Sequence, residues 1–346
     1  MLPYWFFFLI PAGVVLINQP ANARTRLVGW GAVWLFFILA IGLRHQVGGD
    51  WWAYLRMFEN QAERSFRDVI AGSDPGYLLL CWLVERYGGT IHFVNTVCGV
   101  ILMTGIVRFS RTLPLPWLAL LVSVPYLIIV VGMGYTRQAA ALGFLMLGLV
   151  SMANRSMRQF VFWTLLGATF HKSAVLMLPV AALASTTQRL WSLFWGAVVS
   201  LAAAYLFVFD SAEHLWANYV EAGYQSQGGL IRVLMNAVPA VLFLALSRSM
   251  RISDVERKLW SWMALLSLAC IPLVIISSTA TDRVALYLIP IQLFVFSHLP
   301  SIAKDPRTRG VIVLAVMAYY GLVQFIWLVF GAHSYAWDPY RFLPLN

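Results

Sequence analysis

The sequence contains few charged residues. Asp, Glu, Lys and Arg make up 11% of its 346 residues, whereas hydrophobic residues make up 61%. Soluble domains carry roughly 25% charged residues, so this composition excludes an ordinary soluble globular domain. Apolar runs of about 17–22 residues recur along nearly the whole chain, and each is long enough to span a bilayer. The sequence therefore predicts a polytopic membrane protein.

Cysteine is also scarce. Cys81, Cys98 and Cys270 lie in apolar surroundings, and their spacing matches neither a metal site nor a disulfide pair. The sequence has no His/Cys cluster, paired acidic metal motif, P-loop or Ser-His-Asp order, so we expect no tightly bound metal and no other cofactor. The net charge of +10 comes without basic runs interleaved with aromatic residues, so we expect no nucleic-acid partner.

Positive charge is concentrated in short turns between the apolar runs, which predicts the orientation of the chain. More than half of the 24 Lys and Arg residues fall in these turns, together with only Asp254, Glu256 and Asp305 among 14 acidic residues. Because cytoplasmic loops are enriched in Lys and Arg, we place these turns in the cytoplasm. The first apolar stretch has no basic region before it, so we interpret it as a retained first helix that begins outside.

A polar step, Phe170-His171-Lys172-Ser173, interrupts the apolar run from 159 to 184. A charge at the bilayer centre costs roughly 2.5–3.5 kcal/mol on insertion scales, so Lys172 is not expected there unpaired. We predict two short helices, 159–170 and 173–184, that form a hairpin with its polar tip near the outer surface. A single crossing would instead turn every later basic cluster outward, against the positive-inside rule.

These patterns predict an all-α fold, a single transmembrane helical bundle over residues 1–346. The bundle has about twelve crossings, a broken-helix hairpin around His171, and external loops at 44–74 and 210–229. The first loop contains an amphipathic piece at 51–68. Segment 75–87 is short for a span and fits a re-entrant or interfacial helix, which leaves the number of crossings between about eleven and thirteen.

Under this topology the unusual polar residues lie on the external side, mostly at helix ends. Residues 281–283 form an external turn between the predicted spans 259–280 and 284–300. Ionisable groups near membrane depth usually face a cavity, so we predict a functional site there. The candidate catalytic residues are Arg137, His171, Asp50 and Arg283. The candidate substrate-binding residues are Arg44, Asp74, Tyr135, Gln138, Lys172, Asp282, Trp51 and Tyr340.

The arginines have two interpretations that the sequence leaves open. Arg137 begins a helix, where backbone N–H groups attract anions, and the glycines in residues 132–134 allow close backbone approach. It could clamp a diphosphate or extend toward lipid headgroups. Arg283 has the same two options, and its neighbour Asp282 could pair with another helix.

The candidate bases are also ambiguous. His171 could act as a general base or a hydrogen-bonding anchor near neutral pH, or it could only cap the hairpin tip. Asp50 and Asp74 are alternative bases, although Asp74 before Pro75 also fits a helix N-cap. External aromatic residues such as Trp51 could stack on sugar rings, whereas most others belong to the interface or the core.

Several short motifs between positions 42 and 340 occur in the order found in one known family. They are Gly42-Leu43-Arg44 with Gly49-Asp50-Trp51-Trp52-Ala53-Tyr54, Asp74-Pro75-Gly76-Tyr77, Gly134-Tyr135-Thr136-Arg137-Gln138-Ala139, Phe170-His171-Lys172-Ser173-Ala174, Asp282-Arg283-Val284-Ala285-Leu286-Tyr287 and Trp337-Asp338-Pro339-Tyr340. Each motif is short, but together and in order they are fairly specific. With them the sequence resembles the EpsG-like family of Wzy-type bacterial polysaccharide polymerases.

The resemblance implies a glycosyltransferase of the bacterial inner membrane whose active site faces the periplasm or cell exterior. Such enzymes join oligosaccharide repeat units carried on undecaprenyl diphosphate into exopolysaccharide, capsule or O-antigen. The implied partners are this lipid-linked substrate and the lipid bilayer, with chain-length regulators and a flippase as partner proteins. We expect inversion at the anomeric carbon by single displacement, without a nucleotide sugar or a metal.

The chemistry of that reaction fits the external residues. Arg137 and Arg283, with Arg44 or Lys172, would stabilise the leaving diphosphate, and His171 or Asp50 would orient or deprotonate the acceptor hydroxyl. A flippase or transporter of the lipid-linked oligosaccharide would use the same arginines only for binding. An O-antigen ligase would differ in its acceptor, and a membrane O-acyltransferase would need polar residues on the cytoplasmic side. The one-sided distribution of polar residues favours an enzyme.

Overall fold

The computed structural model describes residues 1–17, 22–185, 229–276 and 278–345. Within these ranges the chain is helical and has no β-strand beyond an isolated antiparallel bridge between Arg44 and Phe342. Eight of the described helices are long and apolar enough to cross a membrane. The predicted all-α polytopic bundle is therefore confirmed. The predicted span 190–209 and nearly all of the predicted loop 210–229 lie outside the described residues, so the number of crossings stays a prediction.

The amino-terminal part of the chain alternates long helices with short ones. Its helices are α1 (Leu2–Ile17), α2 (Ala23–Gly42), α3 (Trp51–Glu59), α4 (Phe66–Ile70), α5 (Pro75–Arg86) and α6 (Ile91–Ser110). The predicted amphipathic piece corresponds to α3 and α4. Helix α5 has only 12 residues and is not among the described helices able to cross a membrane, as its short apolar run predicted.

The rest of the described chain completes the bundle. α7 (Pro116–Ser123) continues through a π-helical segment (Val124–Val131) into α8 (Gly132–Gly134), and the following helices are α9 (Thr136–Ala153), α10 (Met157–Phe170) and α11 (Leu178–Ser185). After the undescribed residues come α12 (Gly229–Leu246), α13 (Asp254–Ile276), α14 (Ser278–Leu288), α15 (Pro290–Ile302) and α16 (Pro306–Phe330).

The apolar run 159–184 is broken at His171. The residue has an extended backbone (φ −154°, ψ 115°), and a 3₁₀ segment, Lys172–Met177, leads from it into α11. The Lys172 N–H donates a hydrogen bond to Asp74 at the start of α5 (3.1 Å). The break predicted from the polar step is therefore present, and it lies at a helix end rather than inside an uninterrupted span.

One predicted turn is wrong. We expected Asp282 and Arg283 to form the turn between two spans, but both lie inside α14. The helix continues past them because Asp282 is buried and its carboxylate pairs with Arg232 of α12. A charged residue that interrupts an apolar run can therefore stay inside a helix when a neighbouring helix supplies a residue of opposite charge.

Helices α6 and α9 pack closely through glycines. A Cβ atom added to Gly105 would lie 2.2 Å from the Gly143 carbonyl oxygen, and one added to Gly143 would lie 2.5 Å from the Ile101 carbonyl oxygen. Small residues let membrane helices approach until their backbones touch, which increases van der Waals contact. This packing holds α9, which carries Arg137 in its first turn, closely against α6.

Contacts between helix termini define two ends of the bundle. At the first end, His45 Nδ1 and His92 Nε2 are 3.2 Å apart. We call it the His171 end, and it holds the starts of α5, α6 and α9. At the opposite end, the Trp30 and Trp117 rings stack 4.2 Å apart. We call it the Arg111 end, and it holds the starts of α2, α7 and α16.

The carboxy-terminal segment, 331–345, lies across the His171 end. Trp337 is buried, and its Nε1 donates to the Ile129 carbonyl in the π-helical segment (3.0 Å). The Tyr4 hydroxyl donates to the Trp337 carbonyl (2.5 Å), and the Tyr340 hydroxyl donates to the Ala40 carbonyl (2.8 Å). These hydrogen bonds hold the segment against α1, α2 and the π-helical segment.

Candidate active site at the His171 end

Asp74 connects three separate parts of the chain. Its Oδ2 accepts a hydrogen bond from Arg137 Nη1 (2.6 Å), and its Oδ1 accepts one from the Lys172 N–H (3.1 Å). The Asp74 side chain is 6% exposed and that of Arg137 is 27% exposed. Asp74 precedes α5, but its carboxylate makes no capping bond to that helix. The N-cap interpretation is therefore replaced by a cross-link that fixes Arg137 beside the His171 break.

Arg137 is held by more than its ion pair. Its guanidinium lies over the Tyr54 ring, 5.7 Å from the ring centre, which is a cation–π distance. Its Nε is buried and has no hydrogen-bond partner within the described chain. The side chain is thus oriented by Asp74 and Tyr54, while part of its donor capacity remains unused.

Asp50 lies near two of the predicted cations. Burial raises the pKa of the Asp50 carboxyl, whereas the positive charges of Arg137 and Arg283 act in the opposite direction. Burial likewise raises the pKa of Asp74, against the effects of Arg137 and the Lys172 N–H. Within the described chain the Asp50 carboxylate accepts no hydrogen bond, unlike Asp74, so it is the carboxylate of the two that is available to accept a proton from a ligand.

His171 is both a cap and a member of this cluster. Its Nδ1 lies 3.4 Å from the Ser173 N–H, which donates to it, and 3.3 Å from the Tyr287 hydroxyl. Because Nδ1 accepts, the hydrogen of the neutral ring lies on Nε2. Burial, and then the positive charges of Arg137, Arg283 and Lys172, lower the pKa of His171 to about 3. A neutral ring that presents Nε2–H fits a hydrogen-bonding anchor better than a general base.

Asp282 and Arg283 have different surroundings although they are adjacent. Asp282 forms a two-bond ion pair with Arg232, with Nε–Oδ1 and Nη2–Oδ2 distances of 2.5 and 2.7 Å. Arg283 is exposed, and no carboxylate in the described part of the chain pairs with it. Arg283 is therefore the candidate cation best placed to receive an external anion.

A model of the EpsG family matches residues 28–342 of this chain, which include all the motifs described above. The chain belongs to the EpsG family. No curated protein and no solved structure matches it.

In this EpsG-family chain, the structure brings most of the predicted site residues to one end of the bundle. They come from five segments that are far apart in the sequence. The residues joined by contacts or by mutual electrostatic influence are Asp50, Asp74, Tyr135, Arg137, His171, Lys172, Asp282 and Arg283. The family motifs thus converge in space.

Arg44 has a different environment from the one expected. It is 1% exposed and donates to the carbonyls of Ile41 and Val47, to Thr136 Oγ1 (2.9 Å) and to Asn95 Oδ1 (3.4 Å). A guanidinium enclosed by protein acceptors holds helices together and does not reach a substrate. We therefore replace direct substrate binding by Arg44 with a positioning role at the start of α9.

Three other predicted binding residues are also enclosed or partly enclosed. Gln138 and Trp51 are 6% and 4% exposed, and the Tyr340 hydroxyl is bonded to the Ala40 carbonyl. The glycine expected to admit a ligand, Gly134, instead meets the Trp337 ring, because an added Cβ would lie 2.4 Å from it. That close approach serves packing of the carboxy-terminal segment.

Sequence reasoning missed Arg232 and gave no role to Tyr287. Arg232 is near the start of one apolar run and Asp282 is near the end of another. These opposite charges were the sequence signal that could have predicted an ion pair between the two helices. Tyr287 lies four residues after Arg283, which places both on one face of α14. Among the described residues, no group of three or more His, Cys, Asp or Glu residues could hold a metal ion.

Proposed function

We propose that this EpsG-family protein is a polysaccharide polymerase of the bacterial inner membrane. It joins oligosaccharide repeat units carried on undecaprenyl diphosphate, at a site on the external face, into exopolysaccharide, capsule or O-antigen. The observation that supports this proposal most is that the positive charges of Arg137 and Arg283 act both on His171 and on the Asp50 carboxyl, which accepts no hydrogen bond within the described chain. Family membership supports a polymerase-like membrane protein, and chain-length regulators and a flippase remain expected partners.

The leaving group requires positive charge and hydrogen-bond donors. Arg283 is exposed and Arg137 is held in place by Asp74, so their guanidinium groups can bind diphosphate oxygens as forks. The Nε2–H of His171 adds a neutral donor. Donors that are fixed before the reaction stabilise developing charge without reorganisation, which is the largest single contribution in many enzymes. Lys172 adds positive charge at the same end.

Asp50 completes the reaction as the base. An acceptor hydroxyl oxygen forms a bond to the anomeric carbon, and the bond from that carbon to the diphosphate oxygen breaks, with its electron pair leaving on the diphosphate. The hydroxyl proton passes to Asp50. Because this is a single displacement, the configuration at the anomeric carbon inverts. An α-linked donor that gave an α-linked product would contradict this step.

The direct test is polymerisation by the purified protein in liposomes that contain the lipid-diphosphate repeat unit. Wild type is expected to give a ladder of glycans on a gel. Arg137→Ala and His171→Ala are expected to lower the rate at least 100-fold, the magnitude typical of removing a donor to a developing charge. The matched control is Arg111→Ala, which removes an exposed arginine at the opposite end and should leave the ladder unchanged.

The outcome separates the alternatives. A ladder lost in both site variants, with all variants still folded, supports a polymerase. If wild type makes no ladder but moves the lipid-linked unit across the bilayer, the protein is a transporter. Transfer of the glycan to a lipid A acceptor without elongation would instead identify a ligase.

A further inference from the structure

A second feature of the His171 end is a cavity beneath the carboxy-terminal segment. Its volume is about 600 Å³, and its wall includes Asp50, Trp52, Tyr135, Tyr335 and Arg341. Pockets that bind small molecules usually have volumes of roughly 300–1,000 Å³, so this one can hold a few sugar rings. Neither Arg137, Arg283 nor His171 lines it. The cavity is thus distinct from the cation cluster.

The aromatic residues of this cavity are available for contact. Trp52 is 53% exposed and Tyr335 is 75% exposed, in contrast to buried Trp51 and Trp337 beside them. Trp52 comes from α3 and Tyr335 from the carboxy-terminal segment, so two elements supply the rings. Exposed aromatic faces attract the apolar faces of sugar rings, and the Tyr hydroxyl and Trp N–H can bond to sugar hydroxyls.

The cavity wall carries two acidic residues, Asp50 and Asp338, and one arginine, Arg341. Arg341 donates to Gln46, and Asp338 forms an ion pair with the amino group of Met1. Asp50 is the remaining acidic wall residue. A wall that combines aromatic faces with more carboxylates than arginines favours a hydroxyl-rich ligand of low charge over a phosphate.

Asp50 is the point where the two regions meet. It lines the cavity, and it also feels the positive charges of Arg137 and Arg283 in the cation cluster. Tyr135 has a similar position, because it lines the cavity and interacts electrostatically with Asp282. A hydroxyl of a ligand in the cavity can therefore reach the carboxylate proposed as the base.

We propose that this cavity is the acceptor subsite and binds the phosphate-free sugar end of a glycan, with its rings against Trp52 and Tyr335. The proposal rests on the polymerase function, since it assigns one of that reaction's two substrates to a place. The lipid diphosphate of the donor binds at Arg137 and Arg283, and the acceptor sugar binds on the other side of Asp50.

The test measures binding without catalysis. The probe is a set of short, phosphate-free oligosaccharides, released by mild acid from the polysaccharide of the source bacterium and labelled at the reducing end with a fluorophore. Fluorescence polarisation gives their dissociation constant for the full-length protein in nanodiscs. Trp52→Ala and Tyr335→Ala should each raise it about three- to tenfold, as expected for loss of one aromatic contact. Tyr87→Ala, at an equally exposed tyrosine outside the cavity (85% exposed), should not change it.

A second probe separates this inference from the polymerase proposal. Undecaprenyl diphosphate without sugar should bind Arg283→Ala at least tenfold more weakly than wild type, while the same variant keeps its affinity for the oligosaccharides. Equal oligosaccharide affinity in wild type, Trp52→Ala and Tyr335→Ala, or no binding to wild type, overturns the acceptor subsite. If oligosaccharides bind as expected but liposomes yield no polymer, the polymerase proposal fails and the cavity remains a glycan-binding site.

Discussion

Arginines occur at both ends of the bundle, but their surroundings differ. At the His171 end, Arg44 is 1% exposed, and Arg137 and Arg232 are paired with buried carboxylates. At the Arg111 end, Arg26, Arg111 and Arg309 are exposed around a cavity of about 1,530 Å³, and no acidic residue lines the described part of its wall. A count of arginines therefore indicates membrane orientation, whereas burial and neighbouring residues indicate a role.

The physical reason is the cost of burying charge. An exposed arginine at a helix end remains solvated and costs little to place, so it needs no specific partner. A buried one must be compensated by acceptors or carboxylates, and such arrangements cluster at functional sites and at structural cross-links. Exposed Arg283 is informative because it influences Asp50 beside this buried cluster, whereas the exposed arginines at the Arg111 end have no acidic neighbour in the described wall of their cavity.

Loss of catalysis is the strongest test of whether the arginines at the two ends differ in role. Arg283→Ala should lower the rate of polymerisation about 100- to 1,000-fold, because the leaving diphosphate then loses a stabilising positive charge. Arg283 is suited to this role because no carboxylate in the described chain pairs with it. Arg309→Ala, an equally exposed arginine at the other end, should change the rate less than twofold. The measurement is the initial rate in liposomes, and similar losses in both variants would remove the distinction between the two ends.

The next effect is on stability. Arg44→Ala should lower the unfolding free energy by about 2–3 kcal/mol, since it removes hydrogen bonds from a buried charged donor and leaves several acceptors unpaired. Arg26→Ala should leave stability unchanged. The thermal midpoint in detergent reports this. An unchanged midpoint for Arg44→Ala, together with weaker substrate binding, would instead return Arg44 to the role predicted from the sequence.

The smallest effect is a change in pH dependence. Burial raises the pKa of Asp50, so this base becomes protonated at pH values above the ordinary aspartate pKa of about 3.9. Activity should therefore fall as the pH decreases through that range. A neutral His171 with a pKa of about 3 does not titrate there. Residual activity in His171→Gln should therefore keep the same acidic limb, and residual activity in Asp50→Asn should lose it. Loss of the limb in His171→Gln would identify the histidine as the base.

Local signals were enough for the helices and for the break in the hairpin. Apolar runs and the polar pair at His171 and Lys172 act through a few neighbouring residues, so α10 ends at Phe170 as predicted and α5 is too short to be a candidate span. The turn predicted at Asp282 is absent because Asp282 pairs with Arg232, which lies 50 residues earlier in the sequence. Arg44 was misassigned for the same reason, since its acceptors Asn95 and Thr136 lie on other helices.

The linear chain was enough to identify a helical membrane protein, its apolar helices and its family motifs, because hydrophobic length and motif order do not depend on folding. The folded structure was needed to see which polar residues are paired, which are enclosed, and which line a cavity. Those properties depend on the partner that folding brings within a few ångströms. Burial and pairing separate enclosed Arg44 from exposed Arg283, and they leave Asp50 between the cations and the aromatic cavity.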